Sequence, residues 1–600
     1  MPYVELHACS AFSFLRGGSF PEQLAETAAG LEMPAMALLD RNGVYGAQRF
    51  STAAREHNVR PIVGAELTME DGSVLPMLVK DRTGYKNLCE LLTQAHLRSE
   101  KGECAVQWNE LLPFADGLIA LLGSAGCQPA VCGSLPQTSL GITRKSNRSV
   151  RQAAGRCRLA ACAPQSSAER AQFLIDVFDC DNVVVEIQRH FLRGEDRVNQ
   201  QLCDLAEQFR LLLIATNGVQ HARPNGRQVL DVFTCIREHT HLDAAGKLLS
   251  RNAERHLKSD AEMRALFRDR IDAIENTVRV ADRLEFSLEN IGYEFPAFPV
   301  PHGHNMNSFL RTMTLFGAQQ RYASISTAVK QKLEEELALI QRLGFSGYFL
   351  IVWDIIYFCR EHNVMVQGRG SAANSAVCYC LGITPVDPVS NNLVFERFLS
   401  ESRKGWPDID LDLPSGDRRE SVIQEVYRRY GKHGAAMTAN VITYRGRSAA
   451  REIGKALNFS SNILDRFSHL FGHGDFPHTL DLVAQIEQAG LPKAHPRMPA
   501  FVSLYQSIYG LPRHLGQHSG GMIICQGKLS SFVPLENASM PGRVVAQWDK
   551  DDCEDLGIVK VDLLGLGMMS VMQTRSSFAA SAAARSISPT FRLTMRRPTK

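Results

Sequence analysis

The stretch Pro407-Asp408-Ile409-Asp410-Leu411-Asp412-Leu413 alternates acids with aliphatic residues. Alternate side chains of a strand share a face. Ile409, Leu411 and Leu413 are therefore expected to pack inward, and Asp408, Asp410 and Asp412 to line the opposite face. Acids two apart on a strand lie roughly 6.5–7 Å apart at Cα, close enough to converge on two hard cations about 3.5–4 Å apart. A solvated acidic edge strand has the same pattern, although three like charges on one face repel unless something neutralises them. A second alternating run, Val559-Lys560-Val561-Asp562, turns its valines one way. The other face carries an ammonium suited to phosphate and a carboxylate suited to metal.

A third element is Gln367-Gly368-Arg369-Gly370-Ser371-Ala372-Ala373-Asn374-Ser375. Glycines let backbone N–H groups approach a phosphate, and a helix expected over Ala372–Cys380 would add its positive end. The spacing fits neither a Walker A loop nor a dinucleotide fingerprint, and taken alone the run also reads as a tight turn. Together, a small-residue phosphate turn, a D-x-D strand and a third Asp on another strand describe nucleotidyl transfer. Two metals would hold a triphosphate and activate a hydroxyl for in-line attack. Further on, Arg447, Arg451 and Lys455 recur every four residues after Arg445. On a helix they form one basic stripe, either a solvated face or a track for a phosphate backbone.

These residues must be positioned by several domains, because 600 residues exceed what one core usually supports. The first hundred residues alternate strand and helix patterns: strands over Tyr3–Leu6, Ala35–Leu39 and Pro61–Leu67, helices over Pro21–Ala29 and Gln48–His57. That alternation predicts parallel strands with crossover helices. Val183–Ile187 reads as a further strand. Phe295-Pro296-Ala297-Phe298-Pro299-Val300-Pro301 reads as a boundary, since prolines block helix and central strand. Beyond it Val329, Leu333, Leu337, Ile340 and Leu343 form an amphipathic stripe, expected to be an ordinary packing helix.

Hydrophobic content of 44% and charged content of 22% fit a folded globular chain, argue against wholesale disorder and exclude collagen-like, coiled-coil and disulfide-scaffold classes. Net charge is only +3, which neither demands nor forbids nucleic acid. The 15 cysteines contain no C-x-x-C pair, which removes support for zinc ribbons and thioredoxin-like motifs. With no signal-peptide pattern at the start and no long apolar run, a reduced cytoplasmic chain with no membrane span is expected. Gly117–Ala168 lacks Asp and Glu altogether, and Thr574–Lys600 is basic and acid-free. Both stretches are expected to be products of a shifted reading frame.

Gly370-Ser371, Phe395-Glu396-Arg397-Phe398-Leu399, Pro407-Asp408-Ile409-Asp410 and Val559-Lys560-Val561-Asp562-Leu563-Leu564-Gly565-Leu566 resemble motifs of the bacterial family C DNA polymerases, error-prone branch. Asn252–Ser259, Gly347–Asp354, Val377–Thr384 and Gly516–Gly521 support the resemblance, which covers most of residues 1–573. It implies an α/β multidomain fold: a polymerase-and-histidinol-phosphatase (PHP) domain on a distorted α/β barrel over 1–285, a polymerase-beta-like palm over 286–439 and 518–573, an inserted helical thumb over 440–517, and a divergent tail over 574–600. It makes Asp408, Asp410 and Asp562 the catalytic carboxylates on two Mg²⁺, with Asp412 a supporting acid. Arg369, Gly370, Ser371, Arg397 and Lys560 become nucleotide-binding, and Arg445, Arg447, Arg451 and Lys455 DNA-binding. The implied partners are primer–template DNA, deoxynucleoside triphosphates, the sliding clamp and accessory mutagenesis proteins. The family usually continues several hundred residues past the third Asp, so this chain is expected to be C-terminally truncated, lacking the fingers and the usual clamp-contact segment.

The implied PHP metal cluster is depleted here. The family His-x-His reads His7-Ala8-Cys9, an Asp-His reads Asp40-Arg41, and a further ligand element reads Asn217-Gly218-Val219-Gln220, while Glu66 survives. An arginine among metal ligands repels cations, so a degenerate scaffold without proofreading activity is expected. The alternatives to a polymerase are a PHP-type metal-dependent phosphoesterase and a non-catalytic fragment that binds DNA or a partner.

Overall fold

The computed structural model describes residues 2–123, 166–399, 407–470 and 495–583. Most of the acid-free stretch and residues 584–600 lie outside the described residues. Two compact units emerge: residues 1–289 with 441–515, and residues 290–440 with 516–600.

In the first unit, β1 (Glu5–Ala8), β2 (Ala35–Arg41), β3 (Arg60–Thr68), β4 (Val74–Val79), β5 (Leu118–Gly123), β6 (Val183–Ile187) and β7 (Leu212–Ala215) form one sheet in sequence order. It curls into an α/β half-barrel. The alternation of the first hundred residues appears as expected, with helices Pro21–Gly30 and Ala47–Glu56 between β1, β2 and β3. Pro21 opens its helix, where its missing N–H costs nothing. The sheet is not all parallel, however. β4 runs antiparallel to both β3 and β5. The cause is local: Met69–Ser73 is too short to cross over, and Gly72, at φ +79°, closes the turn.

Val4, Leu6, Ala37, Leu39, Ile119, Leu121, Val184 and Ile214 make the core beneath this sheet. A second core joins Val229, Val232 and Phe233 to Tyr444, Ala449, Ile453, Phe501 and Ile508. Residues 441–515 therefore fold into the same unit as the half-barrel, through the buried face of helix Gly446–Ala456.

The second unit carries β8 (Gln367–Arg369), β9 (Asp410–Pro414), β10 (Ala435–Thr443), β11 (Pro512–Ile524), β12 (Leu535–Asn537), β13 (Val544–Ala546) and β14 (Lys560–Leu566). Their order is β12-β13-β10-β11-β14-β9-β8. Ile409, Leu411, Leu413, Val559, Val561 and Leu563 are all buried, as the alternation predicted. Helix Ser346–Glu361 is apolar almost throughout, and its Tyr348 hydroxyl accepts the N–H of Ile409 at 3.0 Å.

The helix expected over Ala372–Cys380 is broken. A 3₁₀ turn spans Gly370–Asn374, and a helix of one turn, Ala376–Cys380, follows the cap Ser375. Among the described residues no single helix is long and apolar enough to cross a membrane. Helices Thr327–Arg342 and Ser346–Glu361 satisfy length and composition only as a pair, bent by 113°.

Candidate active site

β9 and β14 pair in parallel, and their register sets Asp410 directly opposite Asp562. β8 pairs antiparallel on the other side of β9, with Arg369 opposite Asp410. β11 flanks β14 with Gly521 opposite Asp562. One ligand oxygen from each of Asp408, Asp410 and Asp562 can be chosen so that all three lie within 4.8 Å of one another. Two short stretches far apart in the chain thus bring three carboxylates to one point.

Two cations stand among these acids. Lys560 Nζ donates to Asp408 Oδ1 at 3.0 Å and to Asp562 Oδ2 at 2.5 Å. Arg369 lies 3.6 Å from Asp410 and 3.0 Å from Asp412. Burial, then the charges of Asp408 and Asp562, push the Asp410 carboxyl up to about 6. Burial lowers the Lys560 ammonium, but Asp562 and Asp408 outweigh it and raise the group to about 12. Burial also raises Asp412, against the pull of Arg369.

The acids fit a hard divalent cation. Asp562 is only 7% exposed, and its Oδ1 is buried without a hydrogen-bond partner. His518 Nδ1 approaches that oxygen at 3.8 Å but already accepts the Gly521 N–H at 2.7 Å. It therefore carries no proton to give. A buried carboxylate oxygen without a donor is costly, and carboxylate oxygens are what such a cation binds.

The turn at Gly370 is open. Gly370 has φ +72° and nothing within 4 Å of where a Cβ would stand. Gly368 is the opposite case: a Cβ would meet the Ile383 carbonyl oxygen at 2.9 Å. Ser371 begins the turn half-buried, and the turn packs beside the 3₁₀ segment Phe395–Arg397. Arg397 is exposed there and forms no ion pair with a described residue.

The expected helix-end contribution to phosphate binding is not available. The Ala376 and Val377 N–H groups donate to Glu336 at 3.0 Å each, and the Cys378 N–H donates to Ser375 Oγ at 3.0 Å. The first free donors of that short helix are already taken.

The basic stripe lies in the first unit. Arg447 and Lys455 are exposed and Arg451 half-buried on helix Gly446–Ala456. Lys455 pairs with Glu452 at 2.9 Å and Arg451 with Asp465 at 3.5 Å. Arg445 precedes the helix, and its Nε donates to Thr443 Oγ1 at 3.0 Å.

The half-barrel cleft holds an ionic chain. His7 Nδ1 lies 2.7 Å from Glu186 and Nε2 2.8 Å from Glu66, and Arg41 Nε donates to the other Glu66 oxygen at 2.7 Å. Asp40 accepts from Ser10, Ser13 and the Gly46 N–H. The Asn217 side-chain amide donates to the carbonyls of Glu254 and His256. Both imidazole nitrogens and both Glu66 oxygens are thereby engaged by protein groups.

Sequence reasoning overlooked three residues. Glu336 belongs to the buried stripe itself, three after Leu333 and four before Ile340, a spacing that was readable. His518 sits two residues before the pair Gly520-Gly521. Arg419 donates to the Leu563 carbonyl at 2.7 Å and to that of Ser519, tying β14 to β11, and no local pattern announces it.

Residues 308–565 match the bacterial DNA polymerase III alpha NTPase domain, and residues 5–190 match the PHP domain. An error-prone DNA polymerase of Mycolicibacterium paratuberculosis is 42% identical over 585 residues, covering 95% of this chain and 50% of that protein. One from Mycobacterium bovis is 40% identical over 96% of this chain and 51% of its own length. One from Rhodopseudomonas palustris is 37% identical over 95% and 51%. The chain spans about half the length of the curated relatives it matches. The chain thus carries a match to the PHP domain followed by a match to the polymerase III alpha domain, and it shares about two residues in five with these error-prone DNA polymerases along nearly its whole length.

Proposed function

We propose that the chain carries the catalytic site of a damage-tolerant, error-prone DNA polymerase. It would add deoxynucleoside monophosphates to a primer 3′-end under template direction and release pyrophosphate. In this reading the palm occupies 286–439 and 518–573, the thumb 440–517 and the PHP-like scaffold 1–285. The observation that carries it is the register of Asp410 opposite Asp562, with Asp408 beside them.

Two Mg²⁺ held by Asp408, Asp410 and Asp562 would supply Lewis acidity, lowering the pKa of the attacking hydroxyl and neutralising charge at the triphosphate. The remaining work falls to the chain. Lys560 and Arg369 keep positive charge beside the acids. The N–H groups and hydroxyl of the Gly370–Ser371 turn, with the exposed Arg397, receive the triphosphate. Arg445, Arg447, Arg451 and Lys455 track the DNA backbone, a sequence-independent and salt-sensitive contact. The full family protein would act in the cytoplasm in damage-induced mutagenesis, with a sliding clamp and accessory mutagenesis proteins as partners.

The test is primer extension by the purified chain with Mg²⁺. The expected product grows in a template-dependent way, with complementary nucleotides favoured over mismatched ones, and chelation stops it. DNA binding without extension, under any divalent cation, would leave a non-catalytic binding fragment.

A further inference from the structure

Glu336 is 0% exposed, on helix Thr327–Arg342, and no described lysine or arginine forms an ion pair with it. Its Oε2 accepts from Ser375 Oγ at 2.8 Å and from the Val377 N–H at 3.0 Å, and its Oε1 from the Ala376 N–H at 3.0 Å. One carboxylate thus fixes the point where the Gly370–Asn374 turn ends. One helical turn earlier on the same face, Lys332 stands 5.8 Å from the centre of the Phe395 ring, in the segment that presents Arg397. A single helix therefore touches both segments assigned to the triphosphate.

We propose that Glu336 is a positioning residue for the incoming nucleotide, holding the Gly370–Ser371 turn in register with Arg397. The proposal rests on the nucleotide reading given above. A buried carboxylate is an expensive way to fill a core position, since desolvation opposes it. Burial does push Glu336 up to about 7, against the three donors. An aliphatic residue would fill the space more favourably but would leave two buried backbone N–H groups unpaired. What the acid adds is a rigid three-donor anchor. It also takes up the donors of the following helix, so that the triphosphate meets the 3₁₀ turn and not the helix end.

The experiment compares the full chain with Glu336→Ala, Glu336→Gln and the packing control Leu337→Ala. Hydrogen exchange of residues 370–377 and the Kd for Mg²⁺-dATP are measured on folded protein. Glu336→Ala is expected to speed exchange of the 376 and 377 amides at least about tenfold and to weaken nucleotide binding about tenfold. Glu336→Gln, which keeps one acceptor, falls between. Leu337→Ala lowers thermal stability but leaves the Kd within twofold. Unchanged exchange and Kd in Glu336→Ala overturn the proposal. Equal losses of affinity in Leu337→Ala and Glu336→Ala also overturn it, reducing Glu336 to fold maintenance. If the wild-type chain binds no Mg²⁺-dATP while Glu336→Ala still speeds exchange, the nucleotide reading fails, and the role given to Glu336 fails with it.

Discussion

Asp410→Asn is expected to reduce template-directed extension at least about 10³-fold, a loss of about 4 kcal/mol of transition-state stabilisation. Asp410 is the middle acid of the three, paired in register with Asp562 and flanked by Arg369 across β8. Its carboxyl is pushed up to about 6 by burial and by two neighbouring carboxylates. A charge held against such opposition is useful where a cation is to be bound, and a neutral amide of the same shape removes it. The same substitution relieves like-charge repulsion, so the thermal midpoint without divalent ions is expected not to fall. Activity and stability then move apart, which separates lost chemistry from lost fold. A melting curve beside a primer-extension rate reads both. An extension rate within tenfold of wild type would remove Asp410 from the site.

His7→Leu is the second large effect, in the other unit. The imidazole lies between Glu66 and Glu186, with Glu186 fully buried and Arg41 beyond Glu66. Removing it leaves two carboxylates facing each other, and breaking a buried pair costs about 3–5 kcal/mol. The pH dependence follows from the groups around it: the carboxylates of Glu186, Glu66 and Glu5, with Arg41 paired to Glu66. Burial opposes the imidazolium, but Glu186 and Glu66 prevail and raise His7 from 6.5 to about 10. Its stabilisation is therefore fully present below pH 6.5 and is lost as pH rises towards 10. Although burial opposes its charge, Glu66 is held well below its usual range by Arg41 and His7, so its contribution is present above pH 4.5 and is lost as pH falls through lower values. Urea titrations at pH 6.5 and 9, read by hydrogen exchange of the β1–β3 peptides, are expected to show a lower midpoint at pH 9 for wild type. The midpoint in His7→Leu should fall sharply and lose most of its pH dependence. A variant as resistant as wild type would show the ionic chain to be incidental.

Much of this was legible because it was local. The alternation from Asp408 to Leu413 gives both faces of β9, since a strand has only two. The early half-barrel strands are legible as short strand patterns set between helix patterns. What was not legible depends on partners distant in sequence. Nothing near Asp562 says that β14 lies beside β9, or that the register puts residue 562 opposite 410. The antiparallel β4 escapes an expectation of parallel strands with crossover helices, because a short turn at Asp71-Gly72 reverses the chain. The helix expected over Ala372–Cys380 is shorter in the structure because Ser375 is a cap, and caps interrupt a run of good helix formers. Glu336 is one of several charged residues on a helix whose apolar stripe reads as ordinary packing. Its spacing within the apolar stripe already marked it as buried, and a buried acid needs donors.

Counting bound divalent ions tests the account most directly. Mn²⁺ titration of the full chain, followed by electron paramagnetic resonance, is expected to find two more ions bound by wild type than by the Asp408→Ala, Asp410→Ala variant. Equal counts in the two proteins would contradict a metal-binding role for these carboxylates.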